Sequence, residues 1–256
     1  MAEQIDLKTF KTDVADYEAA RPEYPIGITD WITDEFLIDE TSIILELGAG
    51  TGKFTPRIIA SHPKEIIAVD VYPEMLDVLR KKFPNVDCRA GSAMAIPLED
   101  ESVDLVLCAQ CFHWFANEEA MKEIYRVLKP NGKLGLVWNT RDDTVPWIEK
   151  VSKILGRYRK DAPSFVSWKW AELFPGHGFG KLRYCAFPFS RCLTVEELHT
   201  LMNSFSFIYK LPEEEKEKVH AELDEIAKTI PRVQNTDQIK LCYQTMAFSS
   251  EKEPAK

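Results

Sequence analysis

At residues 43–52 the chain reads I-I-L-E-L-G-A-G-T-G. A short apolar, β-branched run leads into three glycines at alternate positions, and a helical pattern follows from Phe54. This order predicts a strand, a tight turn and the start of a helix. Glycine accepts positive φ and lets the backbone lie against a ligand, while the first N–H groups of the helix offer donors. The segment therefore predicts a nucleotide-type binding loop.

The glycine spacing and the next acidic residue narrow the choice of ligand. A dinucleotide loop would need a glycine three residues after Gly50, where Lys53 stands, and the Gly-Lys-Ser/Thr end of a phosphate loop is missing. A second apolar run ends in Asp70, 22 residues after Gly48. A carboxylate at such a strand tip can accept hydrogen bonds from ribose hydroxyls. An adenosine-containing ligand fits this pattern.

These residues resemble the motifs of class I S-adenosylmethionine-dependent methyltransferases. Residues 46–52 look like that family's first motif, Asp70 like the acid closing its second strand, and residues 126–135 like its helix-to-fifth-strand signature. The resemblance implies an α/β, Rossmann-like fold: a seven-stranded, mostly parallel sheet with the last strand antiparallel and helices on both faces.

The same resemblance implies S-adenosyl-L-methionine as the cofactor. Residues expected to bind it are Tyr17, Arg21, Glu46, Gly48, Ala49, Gly50, Gly52, Asp70, Val71, Met75, Ser92, Ala93 and Gln110. Ser92 departs from the family, because many relatives carry an acidic residue there to receive the adenine amino group.

The chain as a whole predicts one methyltransferase domain over residues 1–256. Within it, we expect an N-terminal cofactor cap at 1–30, a cofactor-binding core at 41–139, a substrate lid with C-terminal helices at 140–235, and the last strand at 238–248. Residues 194–197 read as a capping box that opens a helix. Residues 213–229 read as a charged surface helix.

Charge and cysteine content limit the partners. With 32 basic against 41 acidic residues, a net charge of −9 and no basic block, neither nucleic acid nor membrane is expected as a partner. A small-molecule substrate and a monomer or weak dimer are expected instead. Six cysteines without a paired framework and a polar start predict a reduced, cytoplasmic protein. Cys108 and Cys111 form a C-x-x-C at a strand end, which we interpret as buried thiols, so no metal is predicted.

The leader also carries a family signature. Tyr17, Arg21-Pro22 and Tyr24-Pro25 form Y-x-x-x-R-P-x-Y-P, which is typical of a subgroup that includes trans-aconitate methyltransferase-like proteins. In that subgroup the segment caps the cofactor, which would place Arg21 at the methionine carboxylate. The alternative is a helix docked beside the sheet.

Polar and aromatic residues follow two strands at their carboxyl ends, where open α/β sheets bind ligands. We expect His113, Trp114, Trp138 and Arg141 to bind the acceptor, since the H-W pair and W-N-x-R-D also resemble the subgroup. A structural histidine, and a salt bridge from Arg141 to Asp142 or a neighbour, are the alternatives.

The sequence thus predicts a methyltransferase of small molecules, with an organic acid or other anionic acceptor favoured because Arg141 would orient an anion. One alternative is base-assisted O-, S- or N-methylation of a neutral or cationic metabolite, for which His113 is the candidate catalytic base. A second alternative, from another class, is a protein that binds the cofactor without catalysis or serves as a scaffold.

Overall fold

A computed structural model of the chain describes residue 18 and residues 20–160 and 163–254. Within these residues, seven strands form one sheet. In chain order they are β1 (Ile43–Leu47), β2 (Glu65–Asp70), β3 (Asp87–Ala90), β4 (Val103–Ala109), β5 (Leu128–Arg141), β6 (Arg183–Leu193) and β7 (Ile239–Glu251). Across the sheet the order is β3-β2-β1-β4-β5-β7-β6.

The strand directions confirm the predicted sheet. β1 pairs in parallel with β2 and β4, β2 with β3, and β4 with β5. β7 is antiparallel to β5. The Asp142 N–H donates to the Cys242 carbonyl at 3.0 Å, and the Lys252 N–H donates to the Gly132 carbonyl at 2.9 Å. Residue numbers therefore rise along β7 as they fall along β5. The sheet is therefore mixed, with the last strand antiparallel.

Helices connect the strands. They are α1 (Gly27–Phe36), α2 (Thr55–Ile59), α3 (Pro73–Lys82), α4 (Glu118–Val127), α5 (Pro146–Arg159), α6 (Val195–Asn203), α7 (Ser206–Tyr209) and α8 (Glu213–Ala227). The predicted capping box is confirmed at α6: the Thr194 hydroxyl accepts from the Glu197 N–H at 3.1 Å, and the Glu197 carboxylate accepts from the Thr194 N–H at 2.7 Å.

The chain divides into two compact units. The first, called the core unit, comprises residues 23–139, 163–187 and 245–256; the second, the helical unit, comprises 1–22, 140–162 and 188–244. β5, β6 and β7 supply residues to both.

The core unit is built on a sheet buried on both faces. Leu45 and Val69 belong to one apolar cluster together with Ile124 of α4, whereas Ile44 belongs to a second together with Ile32 of α1. Alternate residues of one strand thus enter opposite layers, which explains the continuous apolar runs of the sequence. Helices on both faces of the sheet are confirmed.

The helical unit has its own apolar core. Ile148 and Val151 of α5, Leu198 of α6 and Val219 and Leu223 of α8 are fully buried there. In the described part of the chain, no helix is both long and apolar enough to cross a membrane. Among the same residues, no group of three or more His, Cys, Asp and Glu side chains is placed to hold a metal ion.

Candidate functional site

The glycine loop between β1 and α2 needs its glycines for two different reasons. Gly48, Gly50 and Gly52 have φ of 72°, 55° and 79°, a region that costs other residues about 1–2 kcal/mol. A Cβ on Gly48 would lie 2.7 Å from the Cys111 Sγ, so packing requires this glycine. Among the described residues, a Cβ on Gly50 would meet nothing nearer than the Met75 Sδ at 3.7 Å, so these residues leave space open beside the loop at that position.

Asp70, the last residue of β2, ties this loop to the neighbouring strand. Its Oδ2 accepts from the Gly50 N–H at 2.8 Å, and its Oδ1 accepts from the Tyr72 N–H at 2.9 Å. Burial raises the pKa of the Asp70 carboxyl above its ordinary value. The structure therefore brings the Asp70 carboxylate to the glycine at which space is open. Val71, the next residue, is exposed.

Glu46 supplies a second carboxyl group below the loop. It is 1% exposed and accepts a hydrogen bond from the Thr55 hydroxyl at 2.6 Å. Burial raises its pKa to about 8, and the charge of Asp70 adds to this. Glu46 therefore carries a proton at neutral pH. The buried Thr51 hydroxyl has no hydrogen-bond partner among the described residues, so the loop holds an unused polar atom.

The ends of β3 and β4 continue the same edge of the sheet. Ala93 is buried and Ser92 half-buried after Gly91, whose N–H donates to the Asp70 carbonyl at 3.0 Å. Gln110 has a left-handed backbone, with φ of 61°, and its amide donates to the Asn139 carbonyl at 3.0 Å. Such a conformation on a non-glycine residue points to a constrained turn.

The cysteines of the C-x-x-C serve packing. Cys108 is fully buried, and the Cys111 thiol donates to the Leu47 carbonyl at 3.1 Å. Burial raises the pKa of the Cys111 thiol well above its ordinary value, so the thiolate is not formed near neutral pH.

His113 and Trp138 form a pair at the carboxyl ends of β4 and β5. The Trp138 Nε1–H donates to the His113 Nδ1 at 3.1 Å. Trp138 is only 1% exposed and packs against Phe165 and Trp170, with ring centroids 4.8 and 4.6 Å apart. Its indole is thus enclosed by protein, which differs from the predicted wall of an acceptor pocket. Trp114, by contrast, is 40% exposed.

Arg21 and Arg141 lie in the helical unit. Their guanidinium carbons lie 4.2 and 5.4 Å from the centroid of the Phe205 ring, within cation–π range. The Arg141 Nε donates to the Ser152 hydroxyl at 3.0 Å, and this hydroxyl donates to Asp143 at 2.6 Å. The pKa of Arg141 is lowered to about 10, mainly by burial; the like charges of Arg159 and Arg21 contribute, while Tyr243 and Asp143 oppose the shift. Arg141 therefore still carries its charge at pH 7.

Two more arginines and a tyrosine join them, and sequence reasoning missed all three. The Arg191 guanidinium donates to the Ala20 carbonyl at 2.7 Å. Tyr243 is buried, which raises its pKa, while the charges of Arg141, Arg191 and Arg21 oppose that rise. Arg159 acts on Arg141 electrostatically. Arg21, Arg141, Arg159 and Arg191 are called the arginine cluster below.

The predicted site residues therefore fall into two groups. The cofactor residues from Glu46 to Gln110, with His113, Trp114 and Trp138, belong to the core unit, whereas Arg21 and Arg141 belong to the helical unit. Tyr17 lies outside the described residues. The predicted capping of the cofactor by the leader stays a prediction.

Comparison with known proteins identifies the family. Residues 45–136 match the family described as a methyltransferase domain. A protein of Schizosaccharomyces pombe described as an uncharacterized methyltransferase is 69% identical over 96% of this chain and 98% of its own length. The chain belongs to this methyltransferase family. An uncharacterized methyltransferase of Mycobacterium tuberculosis is 35% identical over 93% of both chains.

Solved structures agree with the observed fold. A proposed type II methyltransferase from Anaeromyxobacter dehalogenans superposes with a TM-score of 0.68 at 18% identity, covering 92% of this chain and 99% of its own. The methyltransferase is thus a class I enzyme, and S-adenosylmethionine is its methyl donor. The trans-aconitate subgroup remains a prediction.

The glycine loop fits this donor. Open space beside Gly50 lets a ligand approach the backbone, and the unused Thr51 hydroxyl lies in the same turn. The Asp70 carboxylate suits a ligand with hydroxyl donors, and it is held at this loop.

Proposed function

We propose that the methyltransferase methylates a small organic acid, forming a methyl ester at a carboxylate. The arginine cluster is the observation that carries this proposal. Guanidinium groups hold carboxylates through paired N–H bonds, and a shared aromatic ring such as Phe205 keeps two of them in fixed positions.

The electrostatics of the cluster favour an anion. Like charges on Arg159 and Arg21 lower the pKa of Arg141, which means that they repel its positive form, while Asp143 partly offsets this repulsion. A carboxylate among these groups relieves that repulsion and gains charge-assisted hydrogen bonds of about 1.5–3 kcal/mol each. A cationic acceptor would increase the repulsion instead.

Cofactor binding belongs to the core unit in this proposal. Asp70 holds the ribose hydroxyls, the glycine backbone lies against the ligand, and Met75 lies beside it. Bound S-adenosylmethionine supplies an electrophilic methyl group on a positively charged sulfur. Since a carboxylate is already ionised at pH 7, the chain's own task is alignment and exclusion of water rather than proton removal.

An acceptor screen tests the proposal. Purified protein is incubated with methyl-labelled S-adenosylmethionine and matched sets of mono-, di- and tricarboxylic acids, their amides, thiols, amines and phenols. We expect label in the acids, released as methanol by mild alkali, because esters hydrolyse under those conditions. Alkali-stable label confined to thiols, amines or phenols contradicts the proposal and favours the base-assisted alternative.

Arginine variants show whether the cluster binds the acceptor. Arg141→Ala should raise the KM of the acid by about 10- to 100-fold with little change in kcat, and Arg141→Lys should recover part of the loss. Arg157→Ala is the matched control, because Arg157 lies on α5 two residues before Arg159 of the cluster, is exposed and pairs with Glu222. An equal rise in KM for both alanine variants would show that the cluster is not the acceptor site.

A further inference from the structure

We propose that Trp138 is a positioning residue that fixes the tautomer of His113 and so prevents His113 from acting as a base. The inference rests on the proposed function in one respect, that the acceptor is a carboxylate and needs no base. The Trp138–His113 hydrogen bond carries the rest of the argument.

The direction of that hydrogen bond is set by chemistry. An indole N–H only donates, so the His113 Nδ1 that receives it must be without a proton. In a neutral imidazole the proton then resides on Nε2, which makes Nε2 a donor. If Nδ1 carried a proton, as it does in the other tautomer and in the imidazolium, its N–H would face the Trp138 N–H and the hydrogen bond would be lost.

The packing of Trp138 keeps the indole in place. Its ring lies among Phe165, Trp170 and Phe248, all in the core unit, and its exposure is 1%. A buried N–H that loses its acceptor costs about 1–3 kcal/mol, so the tautomer with Nδ1 protonated is disfavoured by roughly one to two orders of magnitude.

This arrangement decides what His113 can do during methyl transfer. Nε2–H can donate to an oxygen that already carries negative charge, but it cannot take a proton from a neutral hydroxyl, thiol or ammonium group. Transfer to a carboxylate needs no such step: a C–O bond forms, the bond between methyl carbon and sulfur breaks with its electron pair left on sulfur, and no proton moves. His113 is therefore not needed as a base, and Trp138 acts through His113 by keeping it from becoming one.

The test compares Trp138→Phe with Trp170→Phe. Trp170 is the matched control because its indole is also buried in this cluster, but donates to the Phe165 carbonyl at 3.0 Å instead of to a histidine. Imidazole ¹⁵N shifts in full-length protein, assigned by loss of signals in His113→Gln, report the tautomer directly. We expect Nε2–H in the wild type and in Trp170→Phe, and a mixture of tautomers in Trp138→Phe.

Kinetics provide the second measurement. With the best acceptor from the screen, rates of wild type and Trp170→Phe should be flat from pH 6.5 to 9, because His113 takes no proton from the acceptor. Protonation of His113 at Nδ1 in the wild type, an unchanged tautomer in Trp138→Phe, or a His113-dependent rate that rises with pH overturns the inference. A screen without labelled acids would refute the proposed function and leave the tautomer result intact.

Discussion

Glu46 lies in an environment that differs strongly from water. Burial raises its pKa from 4.5 to about 8, so between these values the folded protein keeps a proton that the unfolded chain has released. The contribution of Glu46 to the free energy of unfolding is therefore fully present below about pH 4.5 and is lost as pH rises towards 8.

Replacing this carboxyl should change the pH dependence of stability. Glu46→Gln keeps an acceptor for the Thr55 hydroxyl but cannot titrate, so its stability should fall less between pH 5 and pH 8 than that of the wild type. Urea unfolding at several pH values measures the difference. If the free energy of unfolding changed with pH in the same way in both proteins, Glu46 would be ionised in the folded state.

Gly50→Ala tests the binding site of the methyl donor with the smallest possible change. Gly50→Ala adds a Cβ whose nearest neighbour in the described part of the chain is Met75, so the fold should survive a strain of about 1 kcal/mol. The Kd for S-adenosylmethionine, measured by calorimetry, should rise tenfold or more, because the methyl group occupies ligand space.

Gly48→Ala separates this effect from a general loss of the loop. Its Cβ would clash with the Cys111 Sγ, so stability rather than affinity alone should fall. A folded Gly50→Ala variant with unchanged affinity would place the cofactor away from this loop.

Sequence reasoning succeeded at residues whose chemistry is local. The glycines, Glu46 and Asp70 lie within one strand–turn–helix–strand unit, so their spacing alone predicts that they meet. The arginine cluster could not be predicted in this way, because residues 21, 141, 159 and 191 share no local pattern and only the tertiary fold joins them. Trp138 was assigned to a pocket because a strand-end position does not reveal burial.

At the scale of elements, α6 depends on its N-terminal capping box. Thr194→Ala removes the hydroxyl that accepts the Glu197 N–H and should cost about 1 kcal/mol of unfolding free energy. Thr194→Ser keeps the hydroxyl and should be nearly neutral. Chemical denaturation compares the three proteins, and equal losses in both variants would show that the cap contributes nothing.

α5 contains a glycine that its structure does not need. No atom of the residues that the structure describes lies within 4 Å of the position where a Cβ on Gly156 would stand. Gly156→Ala should therefore stabilise the helix by about 0.5–1 kcal/mol through lower backbone entropy in the unfolded chain. Thermal unfolding measures the gain. A lower Tm would mean that the added methyl group clashes with a neighbouring atom at this exposed position.

Hydrophobic periodicity predicts most helices and strands, whereas the length of a strand depends on the strands with which it pairs. The helix-to-fifth-strand signature at residues 126–135 does not show how far the strand continues, and β5 extends over Leu128–Arg141. Hydrogen bonds to β7 explain the extension, since the Gly132 carbonyl accepts from Lys252 and the Asp142 N–H donates to Cys242. A partner strand more than a hundred residues away leaves no signal in the local sequence.

At the scale of the whole molecule, the two ligands should protect different parts of the chain. We expect S-adenosylmethionine to slow hydrogen exchange at residues 46–52 and 70–75 in the core unit, and the acceptor acid to slow it around Arg141 and Phe205 in the helical unit. Mass spectrometry of peptides from each unit measures this division. Protection by the acid confined to the core unit would remove the arginine cluster from substrate binding.

The arginine cluster also affects the choice of buffer for activity assays. Inorganic phosphate and citrate are common buffer components, and both present the oxygen geometry that guanidinium groups bind. At tens of millimolar they would compete with a micromolar acceptor for Arg141 and its neighbours, so turnover would look slow or absent. Assays in a zwitterionic buffer with chloride as the counterion avoid this competition, and the apparent inhibition constant of phosphate then becomes a direct reading of how strongly the cluster holds an anion.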